Sequence, residues 1–499
     1  MPELVHISEL GRKEGAEVIL RGWVAARRTG GKIVFLQVRD GTGICQCVVE
    51  ASSPQAFQSA SDVAHESSVE MTGSVRADDR APGGFEISCS GMKIIHLAEE
   101  YPIGRKAHGI DFLLSNRHLW LRARRTSTIL RIRHTIIRAC RDFFDEQGFV
   151  LVDTPILCEG AGEDDQTLFP VQYFNRQAFL AQTGQLYLES ACMALEKVYC
   201  FGPTFRAEKS KTRRHLTEFW MIEPEIAFAD LDYLIDLAEN MICRIISRGL
   251  DVHLADLEYL GRDIESLKKI CGPFPRVSYS EAVEYLRSDE TLTMLKEELE
   301  NDRHELQENI KTMDDLENRL RNTGKEHRKE KLRNRIADFR ELIRELEIRL
   351  KNGPDHMELA RNFEWGQDLG GSNETILCKR FDRPVFVTHY PAEAKAFYMK
   401  QSEQDRRVVE NMDLLAPEGY GEIIGGSQRE EDLLKLTEKI REKGLNPADY
   451  GWYLDLRKYG SVPHGGFGLG LERTVAWICG LKHVREAIPF PRTMGRLEP

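Results

Sequence analysis

The chain has 499 residues, 41% of them hydrophobic and 30% charged, with a formal net charge of −11 at pH 7. That length suggests two to four domains with a large core, and no apolar run reaches the ~18 residues of a membrane span. The acidic balance excludes indiscriminate coating of nucleic acid while leaving room for a local basic surface.

The opening stretch MPELVHISELGRKEGAEV is polar and mixed in charge, so no secretory leader is expected. Eleven cysteines without a C-x-x-C pair read as reduced, mostly buried thiols of a cytoplasmic protein. Cys45 and Cys47 are too isolated for a zinc site. Residues 17–95 alternate apolar and polar positions in five runs: VILRGWVAARR, KIVFLQVRD, GICQCVV, SSVEMTGSVRA and FEISCSGMKII. Turn signals such as Asp40-Gly41 separate them, and five short strands of this kind predict a small oligonucleotide-binding barrel. EEYPIGRKAHG then reads as a linker. Seven arginines (117, 122, 124, 125, 131, 133 and 138) form a candidate basic surface or a solvated helix face.

The helix predicted by TSTILRIRHTIIRACRDFFDEQGF ends at Gly148. Strand-like runs follow in FVLVDTPIL, KVYCFGPTFRAE, EFWMIEPEIAF, RPVFVTHYP and GEIIGG; two of these adjoin without a helix, which predicts an antiparallel α+β sheet. Between them, Leu292, Leu299, Leu306, Met313 and Leu320 repeat every seven residues. After NTGK, Leu332, Ile336, Phe339, Ile343, Leu346 and Leu350 step by four and three. A coiled-coil hairpin closed by Gly353-Pro354 is expected. The resulting division is a barrel over 1–103, a linker over 104–125, an α+β domain over 126–289 and 354–499, and an inserted hairpin over 290–353.

Phe201 to Glu225 carries the densest chemistry. Arg206 and Glu208 share one face of a strand, and a basic loop leads to His215, Phe219, Glu223 and Glu225. A cation for a phosphate, a ring for a base and an acid for an amine together suit a nucleotide. In HGGFGLGLERTV, Gly466, Gly468 and Gly470 alternate, unlike a P-loop or G-x-G-x-x-G turn. Such a strand is bare on one face, so that a flat nucleotide or a neighbouring backbone lies close.

These segments resemble the class II aminoacyl-tRNA synthetases, in the subgroup acting on aspartate, asparagine and lysine. Motif one resembles helix 126–147 plus GFVLVDTPIL, with Pro155 at the family's dimer interface; motif two is FRAE…RHLTEF and motif three GFGLGLER. The barrel is similar to the subgroup's anticodon-binding domain. AQTGQLYLESACMAL, GEIIGGSQRE and IPFPRT read as signatures of the asparagine branch.

The resemblance implies a homodimer that uses L-asparagine, ATP with Mg2+, and tRNA(Asn), and releases AMP and pyrophosphate. It assigns ATP binding to Arg206, Glu208, His215, Phe219, Glu422 and Arg473, with Arg206 and Arg473 catalytic. Asp413 and Glu422 are the implied Mg2+ ligands, a hard-oxygen set. Glu159, Gln185, Glu223, Arg429 and His464 surround the amino acid, and Arg27, Phe35 and Gln46 the anticodon. Leu188 stands where the aspartate enzymes carry a lysine, which favours a neutral amide over a carboxylate. The alternatives are an aspartate enzyme charging both tRNAs, and an asparagine synthetase on the same catalytic fold, which has no use for a barrel.

Overall fold

The computed structural model describes residues 2–104, 108–160, 165–210, 212–270, 272–324 and 326–499. The chain divides into two compact units between Leu114 and Ser115.

In the first unit, β1 (Glu3–Val5), β2 (Glu17–Gly30), β3 (Ile33–Arg39), β4 (Ile44–Glu50), β5 (Ser68–Ala77) and β6 (Phe85–His96) form one sheet. Its order is β1-β2-β3-β4-β6-β5, and a further β2–β5 pairing closes it into a barrel. The five expected strands are all present, and β1 adds a short parallel edge to β2. Alternation does the sorting: Val34, Leu36, Val38, Cys45, Cys47 and Val49 fill the interior, while the residues between them on each strand face out. Gly73 marks the tightest crossing, where a β-carbon would overlap the Ser88 carbonyl. A bulge between Val24 and Ala26 shifts the β2 register against β3. Helix α1 (Pro54–Asp62) packs across the barrel through Ala56 and Ala60.

The second unit starts its core with α2 (Arg124–Glu146) and continues through β7 (Val150–Leu151), a small sheet of β8 (Leu157–Cys158), β9 (Pro170–Tyr173) and β10 (Arg176–Leu180), and α3 (Gln185–Leu195). Then come β11 (Lys197–Phe205), β12 (Glu218–Ala227), α4 (Leu231–Leu260), β13 (Arg276–Ser278), α5 (Asp289–Asn322), α6 (Glu326–Arg361), β14 (Val385–Thr388), β15 (Asn411–Ala416), β16 (Gly421–Gln428), α7 (Gly451–Lys458), β17 (His464–Gly470) and α8 (Leu471–Cys479). The eight-stranded sheet has the order β13-β14-β15-β16-β17-β12-β11-β7. It is antiparallel as expected, except that both edge pairs, β7–β11 and β13–β14, run parallel. FVLVDTPIL yields only β7 and β8, because Pro155 lacks the N–H a ladder needs. Helices α2, α4 and α8 bury their apolar stripes on one sheet face, around Ile132, Ile136, Ile242, Ile245 and Trp477. On the opposite face α3 covers β11, where Leu188 and Cys192 pack on Val198 and Cys200, and the rest leaves a cavity.

The clustered arginines do not make a uniform basic surface. Arg117 is buried and donates to the carbonyls of Pro489 (2.8 Å) and Ile488 (2.9 Å), and burial lowers it to about 10. Arg133 pairs with Glu472 at 2.7 Å and Arg125 with Glu486 at 3.2 Å. Those three tie α2 and the residues before it to the C-terminal segment.

In the hairpin, the expected heptad positions are joined by a second set, Leu295, Asp302, Asn309 and Leu316. Two of those four are polar, which hid the stripe from hydrophobic periodicity. Arg349 reaches across to Asp302 at 2.9 Å, and Arg340 to Glu317 at 2.7 Å. The hairpin does not close at Gly353-Pro354, because α6 runs through both to Arg361. Gly353 is where Leu299 of α5 presses in; a β-carbon there would overlap its side chain. At the base, Lys482 binds Glu345 at 2.7 Å and Lys379 binds Glu298.

Candidate functional site

On the sheet face opposite α2, α4 and α8 lies a cavity of about 730 Å³. A smaller one, about 110 Å³, continues from it towards α8. Arg206, Glu208, Met221, Glu422 and Gly468 line both, so the two are lobes of one site. Strand period places the groups: Glu223 and Glu225 project from the same face of β12, with β17 alongside.

Gly466 sits opposite Glu225, and a β-carbon there would overlap that carboxylate. Gly468 gives its space to Met221 while lining both lobes. The bare face of β17 therefore admits β12 side chains at Gly466 and Gly468, and forms a floor at Gly468 and Gly470.

In the larger lobe, Arg429 grips Glu225 through Nε at 3.0 Å and Nη2 at 2.8 Å, and donates through Nη1 to Ser427 at 2.7 Å. Both partners are almost wholly enclosed, at 3% and 1% exposure. Burial raises Glu225 above the usual carboxylate range, and Arg429 holds it back. Behind this pair lies a second. Glu189 accepts from Arg457 (2.7 Å), Tyr453 (2.8 Å) and His464 (3.0 Å), all fully buried. Burial alone would raise Glu189, but Arg457 and His464 hold it well below the usual range. Glu189, Glu225 and His464 are close enough to share a metal, yet Arg429 and Arg457 already neutralise the two carboxylates. It is a buried ion network.

Several expected residues take different posts. Glu223 lines the cavity but accepts from the Thr183 hydroxyl and from the Gly184 N–H at 3.0 Å, so it fixes the loop before α3. Gln185 lines the cavity and donates to Glu189 at 3.1 Å. His464 lies under the floor, its Nδ1 at 2.8 Å from the Val462 carbonyl. Glu159 is not brought to this lobe; it is exposed, pairs with Arg176 at 2.9 Å and borders a neighbouring hollow. Leu188 is fully buried in an apolar cluster with Cys192, Val198 and Cys200. The residues that sequence reasoning missed, Glu189, Arg457 and Glu225 as the partner of Arg429, become visible only once β12, α3 and α7 are brought together.

In the smaller lobe, the Arg206 guanidinium stands 5.4 Å from the Phe219 ring centroid. Its Nε is buried and has no hydrogen-bond partner among the described residues, which marks a donor awaiting an anion. Glu208 pairs with His215 Nε2 at 3.2 Å, and burial lowers the pKa of His215. Arg473, one turn into α8, donates to the Glu422 carbonyl at 2.7 Å. Beside it Arg214 binds Glu374 (3.2 Å), Thr375 (2.6 Å) and the Gly419 carbonyl. This second cation was unassigned in the sequence.

Asp413 and Glu422 line the larger lobe, with Glu374 close by against Arg214. Glu422 Oε1 comes within 2.6 Å, and Asp413 Oδ1 within 3.5 Å, of the point a Gly425 β-carbon would occupy. Burial lifts Asp413 to about 6 despite Lys395 at 2.9 Å. Burial, then Glu422, lifts Glu374 to about 7. Crowded oxygens around an absent side chain fit a hard divalent cation.

On the barrel, Phe35 faces outward from β3, with the Arg28 guanidinium 4.8 Å from its ring. Gln46 donates to Glu86 at 2.9 Å. Arg27 sits elsewhere, donating to the carbonyls of Val63 (2.9 Å) and Ser61; the bulge in β2 places Arg28, not Arg27, opposite Phe35.

Residues 109–494 match the family model described as tRNA synthetases class II (D, K and N), and residues 18–95 one described as an OB-fold nucleic acid binding domain. Asparagine--tRNA ligase of Sorangium cellulosum is 47% identical over 99% of both chains. That of Desulforamulus reducens is 46% identical over 99% of both. The crystal structure of asparaginyl-tRNA synthetase from Pyrococcus horikoshii complexed with asparaginyl-adenylate is 40% identical, covers both chains completely and superposes with a TM-score of 0.82. With both domain models matched and such identity along the whole length, the chain belongs to the class II tRNA synthetases of the D, K and N group, within the asparagine--tRNA ligase family.

Proposed function

We propose that the chain joins L-asparagine to tRNA(Asn) in two steps at the double-lobed cavity. The observation that carries this reading is the buried Arg429–Glu225 pair in a lobe continuous with the Arg206–Phe219 lobe. Arg429 keeps N–H groups beyond the three it spends on Glu225 and Ser427, and Glu225 keeps free lone pairs. Together they offer a donor to an amide oxygen and an acceptor to an amide nitrogen. Aspartate would set a second carboxylate against Glu225, an unmatched charge in a buried place.

The asparagine carboxylate attacks the α-phosphorus of ATP, forming a carboxyl–phosphate bond as the bond to pyrophosphate breaks. An ionised carboxylate needs no general base, so the work is alignment and charge stabilisation. Arg206 directs its orphan Nε at the phosphate, Phe219 stacks on adenine, and Arg473 stands at the polyphosphate end. Asp413 and Glu422 are the residues that would hold Mg2+, which supplies charge neutralisation on the phosphates when bound. In the second step the terminal ribose hydroxyl of tRNA attacks the activated carbonyl and AMP departs.

Phe35 and Gln46 on the barrel read a splayed anticodon base. Pro155 and α2 contribute to a homodimer, and the enzyme works in the cytoplasm. ATP–pyrophosphate exchange with asparagine and with aspartate, followed by charging of the two tRNAs, tests the reading. Exchange driven by aspartate alone would overturn it.

A further inference from the structure

The hairpin is polarised along its length. Residues 289–317 carry eleven acidic side chains against three lysines or arginines, whereas residues 319–335, around the turn, carry eight lysines or arginines against two glutamates. This reversal occurs in a chain whose total charge is −11. The 34 residues of α5 span about 50 Å at ~1.5 Å per residue, so the basic turn is held far from the hairpin base.

At that end the two helices enclose a hollow of about 450 Å³ lined by Arg319, Arg328, Lys331 and Arg335, with Asn322 and Leu332 between them. Arg328, Lys331 and Arg335 follow at spacings of three and four, one stripe on α6. Arg319 is paired with Asp315 at 2.8 Å, while no ion pair holds Arg328, Lys331 or Arg335 among the described residues. The seam beneath is closed by Leu316 and Ile336, both buried. The cations are thus not needed to hold the helices together.

We propose that this tip is an RNA-contacting surface, separate from the barrel and the catalytic cavity, which grips the phosphate backbone without reading sequence. It rests on the tRNA-charging reading for the choice of tRNA as the polyanion. Planar guanidinium forks match phosphate oxygens. The four lining cations stand without any aromatic ring among them, so base stacking is not part of the contact. An anionic membrane is the poorer fit, because a surface-bound helix needs an apolar face and the hollow offers only Leu332.

The test compares the full-length protein with R328E/K331E/R335E. Probes are a tRNA(Asn) transcript, an unrelated structured RNA of equal length, and vesicles containing phosphatidylserine. For both RNAs, the slope of log affinity against log salt should fall by about 2 to 3, near one per lost phosphate contact. Asparagine-dependent pyrophosphate exchange without tRNA should not change, since these residues touch neither lobe. An unaltered salt slope for RNA, or a loss seen only with the vesicles, overturns the proposal. Loss of exchange in the unsubstituted protein would instead strike the charging reading, so the two failures are distinguishable.

Discussion

Replacing Glu225 with glutamine leaves shape and volume almost unchanged and removes one charge from the amino-acid lobe. Arg429 then faces a neutral amide with 3% of its side chain exposed. Stripping one partner from a buried pair costs about 3–5 kcal/mol, because the remaining charge is uncompensated. Glutamine retains one acceptor, so one of the bonds at 3.0 and 2.8 Å survives while its amide nitrogen opposes a guanidinium N–H. The expected cost is at the lower end, about 3 kcal/mol, or roughly a hundredfold at ~1.4 kcal/mol per decade. Measured as pyrophosphate exchange over a range of asparagine concentrations, kcat/KM for asparagine should fall by about that factor. KM for ATP should hold, since Arg206 and Phe219 are untouched. The urea midpoint should drop as well. A variant keeping asparagine kcat/KM within about threefold of the parent would refute the claim that this carboxylate orients Arg429 towards substrate.

Substituting Arg206 with alanine should reduce exchange by about 10²- to 10³-fold while leaving the urea midpoint nearly unchanged, because its Nε holds no partner among the described residues; near-normal exchange would sink its role at the phosphate. Leu188→Lys should lower the unfolding free energy read from urea titration by at least about 2 kcal/mol and gain no aspartate-dependent exchange, since the position lies in an apolar cluster and not on the cavity wall. The carboxylates give a pH effect of defined sign. With Asp413 at about 6 and Glu374 at about 7, the folded protein keeps protons that the unfolded chain has already released above its ordinary carboxylate values. Ligand-free stability from these groups therefore falls as pH rises towards 7. In Glu374→Gln the fall measured by urea titration should be shallower, and an equal fall would remove Glu374 as its source.

Much of the architecture was readable because it depends on local pattern. Period-two alternation gave the barrel strands, heptads gave the hairpin, and glycine spacing gave a bare strand running into a helix. What escaped depends on register and on distant partners. Glu223 and Glu225 have the same parity on β12, so nothing in the local sequence says which one lies beside Arg429, 204 positions away. The Glu189–Arg457 pair spans 268 positions. The choice between Arg27 and Arg28 turns on one bulge, which inverts the facing of every later residue in the strand. Asp302 and Asn309 concealed half of the hairpin seam because a polar side chain in a seam leaves no hydrophobic mark.

The five residues common to both lobes have a consequence for the lifetime of the intermediate. Asparagine and ATP each surrender translational and rotational freedom on binding, whereas the adenylate that joins them does so once while keeping the contacts of both lobes. Its affinity then approaches the product of the two separate affinities multiplied by an effective concentration. A mixed anhydride that water would destroy is thus retained between the two lobes, and the enzyme can wait, loaded, for its RNA.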